Sequence, residues 1–454
     1  MALIERDDMG GDCLNTGCVP SKAIIRAARA WHDARASAGR FGGPACEEPG
    51  NFAGAMRFMR NVRADISTTD SARRFRDMGI DLFFGQAEFD SRESIIVRTL
   101  NGEPARLVFR RSIIASGAQP AVPPIDGLAE TGYLTSENVF DLETLPPRLL
   151  VIGGGPIGCE LAQAFARLGS SVTLLNADER LLRFDDADAA KIVENALTTD
   201  GVVIHHRVKI KSASKDHQTR ALDFETDNHV AMVEGDCILV ATGRAPRVAG
   251  FGLEAAGVRF TEKGIGVDDR FRSSNSRIFA IGDCASRYQF THAADAAARM
   301  AVPNALFFGI GGGKASDLIM PWCTFTTPAV AHTGITAAEV SKRTDITTLT
   351  IPLDEVDRSR LEAAPAGFLR VHLAGKSDRI LGATVVSEHA GETISEITSA
   401  IVNGIGLSRL GKTIRPYPTD AEVIRKASDQ YRRGKLSPGA KRIFELFFRL
   451  TGRR

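Results

Sequence analysis

Residues 148–175 hold the pattern that most constrains the fold: a strand, a glycine-rich turn, a helix and a second strand, in that order. Leu149–Ile152 is an apolar run typical of a buried parallel strand. Gly153–Gly158 follows with G-x-G-x-x-G spacing. Cys159–Leu168 predicts a helix, and Ser171–Leu175 predicts the next strand. This order is typical of a βαβ dinucleotide-binding unit whose helix N-terminus binds a pyrophosphate; the alternative is a glycine-rich turn without a ligand.

The end of the second strand bears on which dinucleotide is bound. An acidic side chain at this place would bind a ribose 2'-hydroxyl, but Asn176 stands there. Arg180 follows and could meet a 2'-phosphate, which favours NADP, or it is a solvated loop residue. The residues expected to contact the dinucleotide are Gly153, Gly155, Pro156, Ile157, Gly158, Asn176 and Arg180.

Three further apolar strands each end in a glycine turn, at Ser112–Gly117, Cys237–Gly243 and Arg277–Gly282. Turns of this kind lie at the carboxyl ends of strands in doubly wound α/β sheets, where ligands bind. Asp283 follows the third turn and could hydrogen-bond a polyol or cap the turn. The ligand contacts expected here are Ser116, Gly117, Gly243, Gly282 and Asp283.

Two cysteines near the start, Cys13 and Cys18, are separated by a segment that includes Gly17. Gly17 frees the backbone, so the two sulfur atoms can approach each other. Residues 23–31 predict a helix, and a thiol at a helix N-terminus has a lowered pKa and becomes a reactive thiolate. The pair is either a redox-active disulfide or, as is usual for free cysteines, two small buried apolar side chains.

Composition argues against several classes of protein. With 454 residues the chain is too long for one core, and roughly two to four domains are expected. A net charge of +2 argues against a general nucleic-acid binder. The 7 cysteines are scattered and odd in number, which indicates a reducing, cytoplasmic compartment. No sequence run predicts a membrane span, and no Cys or His spacing predicts a metal site.

The chain from Pro321 onward predicts a separate α+β domain. Two strands and two helices are expected, at 368–373, 379–386, 391–403 and 420–431. The segment that follows, 432–454, is basic and carries apolar side chains between Ile443 and Leu450. It predicts an amphipathic helix that either lies on a membrane surface or covers an apolar surface of its own protein.

Five motifs occur in order along the chain: CLNTGCVPSK, GGGPIGCE, VATGRAP, AIGDC and PYPTDAE. Together they resemble the class I pyridine nucleotide-disulfide oxidoreductases, and most closely the mercuric-reductase-like and dihydrolipoamide-dehydrogenase-like FAD-dependent members. The resemblance implies an α/β fold with two Rossmann-like dinucleotide-binding domains, for FAD and NAD(P), and a C-terminal α+β dimerisation domain. The implied parts are an FAD-binding domain at 1–146, an NAD(P)-binding domain at 147–266, a return to the FAD-binding or central domain at 267–320, the dimerisation domain at 321–431 and the basic tail at 432–454.

The resemblance also implies a path for electrons from NAD(P)H through FAD to a Cys13–Cys18 disulfide. A small acceptor would then take them: a metal ion, a quinone or a low-molecular-weight disulfide. Cys18 would face the flavin as the thiolate, and Cys13 would be the interchange thiol. Lys22 and Glu160 match an ion pair beside the flavin N5, where a cation stabilises negative charge. Asp283 matches the residue that binds the FAD ribitol. Members of the family are homodimers whose active sites include residues of the partner's C-terminal domain.

The start of the chain departs from the family pattern. Ala2–Glu5 resembles the strand that ends in the acid for the FAD ribose, here Glu5, and Gly11 is a further expected FAD contact. Roughly 30 residues, with a strand and a G-x-G-x-x-G turn, would precede it in the family. We therefore expect this chain to fold or hold FAD poorly. The alternative function is a truncated, catalytically impaired dimerising subunit or a gene fragment.

Two further departures concern the expected active site. Tyr417 stands where disulfide reductases of the family have a histidine acid/base, and Glu422 matches the glutamate that orients it. A tyrosine with a pKa near 10 is a poor base, which argues against substrates such as glutathione or lipoamide. The cysteine pair that loads mercury in related enzymes is replaced by Thr451-Gly-Arg-Arg, which argues against efficient mercury reduction. Pro156 replaces a tyrosine that gates the nicotinamide pocket in many members.

Overall fold

The computed structural model describes residues 1–46, 50–99, 102–227, 229–307, 309–364 and 366–452. The chain divides into two compact units. The first consists of Met1–Leu181 and Leu197–Leu318, and the second consists of Leu182–Ala196 and the chain from Ile319 onward.

The elements up to residue 146 all belong to the first unit. In chain order they are β1 (Ala2–Glu5), α1 (Gly11–Asn15), α2 (Cys18–Phe41), α3 (Phe52–Ser67), α4 (Ala72–Asp77), β2 (Asp81–Phe89), β3 (Ser94–Thr99), β4 (Ala105–Val108), β5 (Ser112–Ile114) and β6 (Ala118–Pro120).

The elements from residue 147 to residue 318 complete the first unit, except that α6 begins in the segment assigned to the second. They are β7 (Arg148–Ile152), α5 (Pro156–Leu168), β8 (Ser171–Leu175), α6 (Ala187–Thr199), β9 (Val203–His205), β10 (Lys209–Asp216), β11 (Thr219–Thr226), β12 (His229–Gly235), β13 (Cys237–Val240), β14 (Arg244–Pro246), β15 (Phe260–Thr261), β16 (Gly264–Ile265), β17 (Ile278–Ala280) and α7 (Thr291–Leu306).

The predicted βαβ unit is confirmed. Strands β13, β7, β8 and β9 form a parallel sheet in that order, and the connection from β7 to β8 is helix α5. The helix begins at Pro156, earlier than the expected Cys159, because proline's fixed φ and missing N–H suit a first helical position. It ends at Gly169, which has a left-handed φ of 112°.

The other sheets of the first unit are smaller. β1 pairs in parallel with β2, which continues antiparallel into β3 and β4. β17 pairs in parallel with β5, so the two strands that precede Gly117 and Gly282 lie side by side. The pairs β14–β6 and β15–β16 and the sheet β10–β11–β12 are antiparallel. Helix α2 packs against α3 and α5 through buried side chains such as Ile24, Met56 and Phe165.

The second unit contains one five-stranded antiparallel sheet and its helices. Its elements after α6 are β18 (Trp322–Thr324), β19 (Ala329–Gly334), α8 (Ala337–Val340), β20 (Ile346–Pro352), α9 (Asp357–Leu361), β21 (Phe368–Ala374), β22 (Ile380–Ser387), α10 (Ala390–Val402), α11 (Leu407–Leu410), α12 (Glu422–Gly434) and α13 (Pro438–Thr451). The expected strands and helices of this region are therefore confirmed to within a few residues. The domain boundaries placed at 146, 266, 320 and 431 stay predictions.

The sheet of the second unit has the order β18–β19–β22–β21–β20, and its two faces differ. Helices α10 and α12 pack against the apolar face, where Leu369, Val371 and Val385 are buried. A row of polar residues crosses three neighbouring strands. Thr384 of β22 lies opposite His332 of β19 on one side and opposite Arg370 of β21 on the other. Arg370 donates to Asp186 at 2.7 Å, so the segment 182–196 is bound to this sheet by charge.

Candidate active site

The two cysteines of the expected redox pair lie together. Cys13 is in α1, and Cys18 is the first residue of α2, directly after Gly17. A Cβ atom at position 17 would lie 2.8 Å from the carbonyl oxygen of Asp12, so only glycine fits between α1 and α2. Both thiols are free, and the interaction with Cys13 is the largest cause that lowers the pKa of Cys18.

The pKa values of the two thiols are shifted in opposite directions. The pKa of Cys18 is lowered to about 5 by the hydrogen bond from Cys13, by one from Thr291 and by the charge of Lys22. Thr291 is the first residue of α7, and its Oγ1 atom lies 3.4 Å from Cys18 Sγ. The pKa of Cys13 is raised, because this thiol is the donor to Cys18 and because it is partly buried. At neutral pH the pair is therefore one thiolate and one thiol.

The expected ion pair between Lys22 and Glu160 is present. Lys22 Nζ lies 2.7 Å from Glu160 Oε2. The Glu160 side chain is only 6% exposed and the Lys22 side chain is 36% exposed, so the pair has its cation toward solvent and its anion in the core. Glu160 is in α5 and Lys22 is in α2, so this bond connects the helix of the glycine turn to the helix of the thiolate.

Asp283 takes part in a charge cluster that the sequence did not reveal. Arg244 Nε lies 3.4 Å from Asp283 Oδ2, and the same guanidinium donates to the carboxylate of Asp12. Burial raises the pKa of Asp283, and Arg244 opposes that rise. Arg244 thus connects Asp283, the residue expected to bind the polyol, to Asp12, the residue before Cys13. Its place in the VATGRAP motif was visible in the sequence, but its partners lie far away along the chain and no spacing pointed to them.

Glycine is required at each glycine position of the G-x-G-x-x-G turn for a different physical reason. At Gly153 the φ is 116° and an added Cβ would lie 2.4 Å from the Ala241 carbonyl oxygen, so the turn is tight. At Gly158 an added Cβ would lie 1.9 Å from the Gly153 carbonyl oxygen, so the helix packs on the turn. At Gly155 nothing lies within 4 Å. The space above Gly155, at the N-terminus of α5, is where a pyrophosphate would approach the backbone. Pro156 and Ile157 are the next two residues of that helix.

Asn176 is 3% exposed and does not project from the sheet. Its amide nitrogen lies 2.9 Å from the carbonyl oxygens of Asp178 and of Arg180, to which it donates. Its side-chain oxygen also packs against the glycine turn, because a Cβ added to Gly154 would lie only 2.6 Å from it. Asn176 therefore holds the loop that carries Arg180, so any ribose contact in this loop would come from its other residues. The side chain of Arg180 is half-buried.

The remaining expected contacts lie in the first unit on turns with accessible backbone. Gly11, Gly117 and Gly243 have φ values of 59°, 70° and 115°, and nothing lies within 4 Å of a Cβ added to any of them. Gly282 also has a left-handed φ, of 68°. Ser116 uses its hydroxyl to donate to the Arg247 carbonyl oxygen at 2.8 Å. Glu5, at the end of β1, accepts a hydrogen bond from the Asp7 amide at 2.9 Å.

A mostly apolar groove of about 310 Å³ adjoins the thiolate. It lies between α2 and α3, and its only charged lining residues are Lys22 and Arg26. The lining residues are Cys18, Val19, Lys22, Ala23, Arg26, Phe58, Val62 and Ile66.

Tyr417 and Glu422 each bind a different partner within the chain, and their expected roles in the site stay predictions. Tyr417 donates through its hydroxyl to Asp357 Oδ2 at 2.8 Å, and this anion raises the pKa of the phenol. Glu422 is the first residue of α12 and instead accepts from Arg425 at 2.6 Å. Tyr417 remains 72% exposed, so its ring is open to a partner. The carboxylate that binds it, Asp357, is the first residue of α9, about 60 positions earlier in the chain, and the PYPTDAE motif does not indicate it.

Neither a metal-binding cluster nor a membrane-spanning helix is present in the described part of the chain. No group of three or more His, Cys, Asp or Glu side chains there is arranged so that it could hold a metal ion. No helix among the same residues has the length and apolar character needed to cross a membrane.

Two family matches cover most of the chain. Residues 1–298 match the pyridine nucleotide-disulphide oxidoreductase family, and residues 320–428 match its dimerisation domain. A mercuric reductase of Streptomyces lividans is 34% identical over 439 residues, which are 95% of this chain and 91% of that protein. A mercuric reductase of Acidithiobacillus ferrooxidans is 36% identical over 441 residues, covering 95% of this chain and 78% of the relative.

Solved structures show the same fold. The Cu(II) complex of the HOCl-induced flavoprotein disulfide reductase RclA from Escherichia coli matches with a TM-score of 0.84 and 28% identity, over 94% of this chain and 93% of that chain. LpdA from Mycobacterium tuberculosis matches with a TM-score of 0.85 and 25% identity, over 95% of this chain and 93% of the other. The α/β fold with a dimerisation domain is therefore confirmed, and the dimerisation match supports a homodimer.

Proposed function

Since this chain belongs to the pyridine nucleotide-disulphide oxidoreductase family and is an oxidoreductase, we propose that it is an FAD-dependent NAD(P)H oxidoreductase. Its electrons would pass through the Cys13–Cys18 pair to a small acceptor. The observation that carries the proposal is the split between the two thiols: the pKa of Cys18 is lowered to about 5, and that of Cys13 is raised. A reduced pair with one stable thiolate and one thiol is what a dithiol centre needs.

The residues of the first unit fit a flavin at the thiolate. Lys22 would place its ammonium beside the flavin ring, held there by the buried carboxylate of Glu160. Asp283 would accept from the ribitol, and the open backbone at Gly11 and Gly117 leaves room for the cofactor to approach. When bound, FAD supplies a two-electron redox centre between the nicotinamide and the disulfide. Glu5 would bind the FAD ribose, and Ser116, Gly243 and Gly282 would form the turns around it.

The residues of the glycine turn fit NAD(P)H. The space at Gly155, at the N-terminus of α5, would receive the pyrophosphate. The loop that Asn176 holds would receive the ribose, and Arg180 would bind a 2'-phosphate if the nucleotide is NADPH. Pro156 would lie at the mouth of the nicotinamide pocket.

The reaction balances in two halves. In the first half, NAD(P)H and one proton reduce the disulfide to two thiols, one of which gives its proton to solvent because Cys18 stays ionised at neutral pH. In the second half, the Cys18 thiolate and the Cys13 thiol form the disulfide again and give two electrons to the acceptor, and the Cys13 proton goes to solvent or, with a quinone or a disulfide, to the reduced acceptor. Lys22 favours the thiolate throughout.

Three classes of acceptor remain candidates. A metal ion is supported by the mercuric reductase relatives and by the Cu(II) complex of the structural neighbour, and here the metal would be a substrate that the thiols bind. A quinone is favoured by the groove beside Cys18, because its lining is apolar except for Lys22 and Arg26. A low-molecular-weight disulfide is the third class.

The second unit would contribute to the site of a partner subunit, as the dimerisation match suggests. Tyr417 is exposed, and Asp357 raises the pKa of its phenol, so at neutral pH it would act as a hydrogen-bond donor and not as a base. Glu422 accepts from Arg425 through Oε1, and its Oε2 is buried without a hydrogen-bond partner among the described residues.

The test is NADPH oxidation by the full chain after loading with FAD, with Hg²⁺, menadione or oxidised glutathione as acceptor. Cys13→Ser should lower turnover with the productive acceptor by about a hundredfold, because the interchange thiol is lost. Cys46→Ser, at an exposed cysteine elsewhere in the first unit, is the matched control and should keep wild-type turnover. Full turnover in Cys13→Ser would contradict the thiol path.

A further inference from the structure

The last helix, α13, which we call the tail helix (Pro438–Thr451), lies beyond the family matches, which end at residue 428. It is well formed at its start. Ser437 accepts from the Ala440 amide at 3.1 Å as the N-cap, and a proline follows at the first helical position. The helix is therefore a feature of this chain that its family membership does not explain.

The apolar side chains of the tail helix are exposed. They are 51% to 76% exposed, and no core cluster of the described residues includes them: Ile443, Phe444, Leu446, Phe447, Phe448 and Leu450. At 100° per residue these six share one broad face. Phe447 and Phe448 meet edge to face with ring centres 5.7 Å apart. The expectation that the helix covers apolar surface of its own chain is not met in the described structure.

The charges of the tail helix occupy the opposite side. Lys441, Arg442 and Arg449 are basic and Glu445 is the one acid within the helix, a net charge of +2. At 100° per residue Lys441 lies next to the Phe448 edge of the apolar face, and Arg442 lies next to the Leu446 edge. Cations thus border the apolar face on both sides, where long basic side chains can reach outward.

This arrangement distinguishes between two occupants of the apolar face. A second copy of the helix would bring the same cations to both borders, so like charges would meet. An anionic bilayer brings apolar chains to the face and phosphate groups to the borders, and each border cation then meets an opposite charge. The helix also matches an interfacial segment in composition, with Phe and Leu on one side and Lys and Arg on the other.

We propose that the tail helix binds the surface of an anionic lipid bilayer, lying flat with its phenylalanines in the boundary between headgroups and acyl chains. The helix is attached to α12 by the short connection Lys435–Ser437. The bilayer contact does not depend on the proposed redox function.

The test is vesicle flotation of the full chain at physiological salt. One set of vesicles is phosphatidylcholine alone, and the other contains roughly one quarter phosphatidylglycerol. The full chain should float with the anionic vesicles and not with the neutral ones. The double substitution Phe444→Glu/Phe447→Glu and the deletion of residues 436–454 should abolish flotation. Lys441→Glu/Arg442→Glu should weaken binding about tenfold or more. Val230→Glu, at an exposed valine of β12, is the matched control and should float as the wild type does.

Light scattering on the same proteins distinguishes a second copy from a bilayer. All variants should keep the oligomeric state of the wild type. The proposal is overturned if the full chain does not float, if flotation survives Phe444→Glu/Phe447→Glu, or if that variant falls to a smaller oligomer. The last result would mean that a second copy covers the face.

Discussion

Lys22 Nζ lies 2.7 Å from Glu160 Oε2, although the two residues are 138 positions apart in the chain. The bond joins the helix that begins with the Cys18 thiolate to the helix that begins at the glycine turn. Because the carboxylate is buried and the ammonium is partly exposed, Glu160 fixes the position of a cation that also lowers the pKa of Cys18.

Replacement of Lys22 by methionine should destabilise the first unit and weaken the thiolate. It removes the Lys22 ammonium from the buried Glu160 carboxylate, at a cost of about 2 kcal/mol in the free energy of unfolding. Lys191→Met is the matched control, because Lys191 is 63% exposed and pairs with Glu194 at 2.6 Å. That control should cost less than about 1 kcal/mol. Urea unfolding measures both, and equal costs would show that the Lys22 pair has no special role.

The rate of Cys18 alkylation by iodoacetamide should rise as pH increases through about 5 in the reduced protein. Only the thiolate reacts, so the midpoint reports the pKa of this thiol. Cys13→Ala removes the largest cause of the lowered pKa and should move the midpoint upward, and Thr291→Val should move it by less. Thr291→Ser keeps a hydroxyl and should leave it in place. A midpoint near the ordinary value of 9.0 in the wild type would contradict the geometry.

Substitutions of two glycines in the same turn should have different effects, one on nucleotide binding and the other on stability. Gly155→Ala adds a Cβ to open space, so the free energy of unfolding should change by less than about 0.5 kcal/mol. The same Cβ should weaken NADPH binding about tenfold, because it occupies the approach of the pyrophosphate. Gly158→Ala places a Cβ 1.9 Å from the Gly153 carbonyl oxygen and should cost about 3 kcal/mol of stability. Calorimetric binding and urea unfolding test both; unchanged binding in Gly155→Ala would refute the site.

The second unit should lose stability in mild acid. Burial lowers the pKa of His372 from 6.5 to about 4 and also lowers that of His332. The unfolded chain therefore takes up protons below pH 6.5 while the folded chain does not, so stability falls as the pH drops from 6.5 toward 4. His372→Gln should flatten this fall. His217→Gln, at a side chain that is 94% exposed, should leave it unchanged. Urea unfolding at a series of pH values measures the slopes.

Much of the fold follows from local patterns in the sequence. The apolar run before Gly153 and the left-handed position at Gly169 are local features, so strand, turn and helix were predictable there. Helix α5 started earlier because Pro156 suits a first helical position, which the apolar periodicity does not reveal.

The contacts that build the site were harder to predict, because they join distant positions. Arg244 meets Asp12 from 232 positions away, and Thr291 meets Cys18 from 273 positions away. No periodicity carries such information. Tyr417 is the opposite case: Glu422 is close to it in sequence, yet the phenol donates to Asp357, and Glu422 accepts from Arg425.

NADPH should reduce Cys13 and Cys18 and no other cysteine. This can be measured by anaerobic incubation of the oxidised, FAD-loaded full chain with NADPH, followed by alkylation and mass spectrometry of all 7 cysteines. Only Cys13 and Cys18 should gain the label in an NADPH-dependent manner. An unchanged pattern in a chain that holds FAD, or a gain at any other cysteine, would refute the assignment of the redox pair.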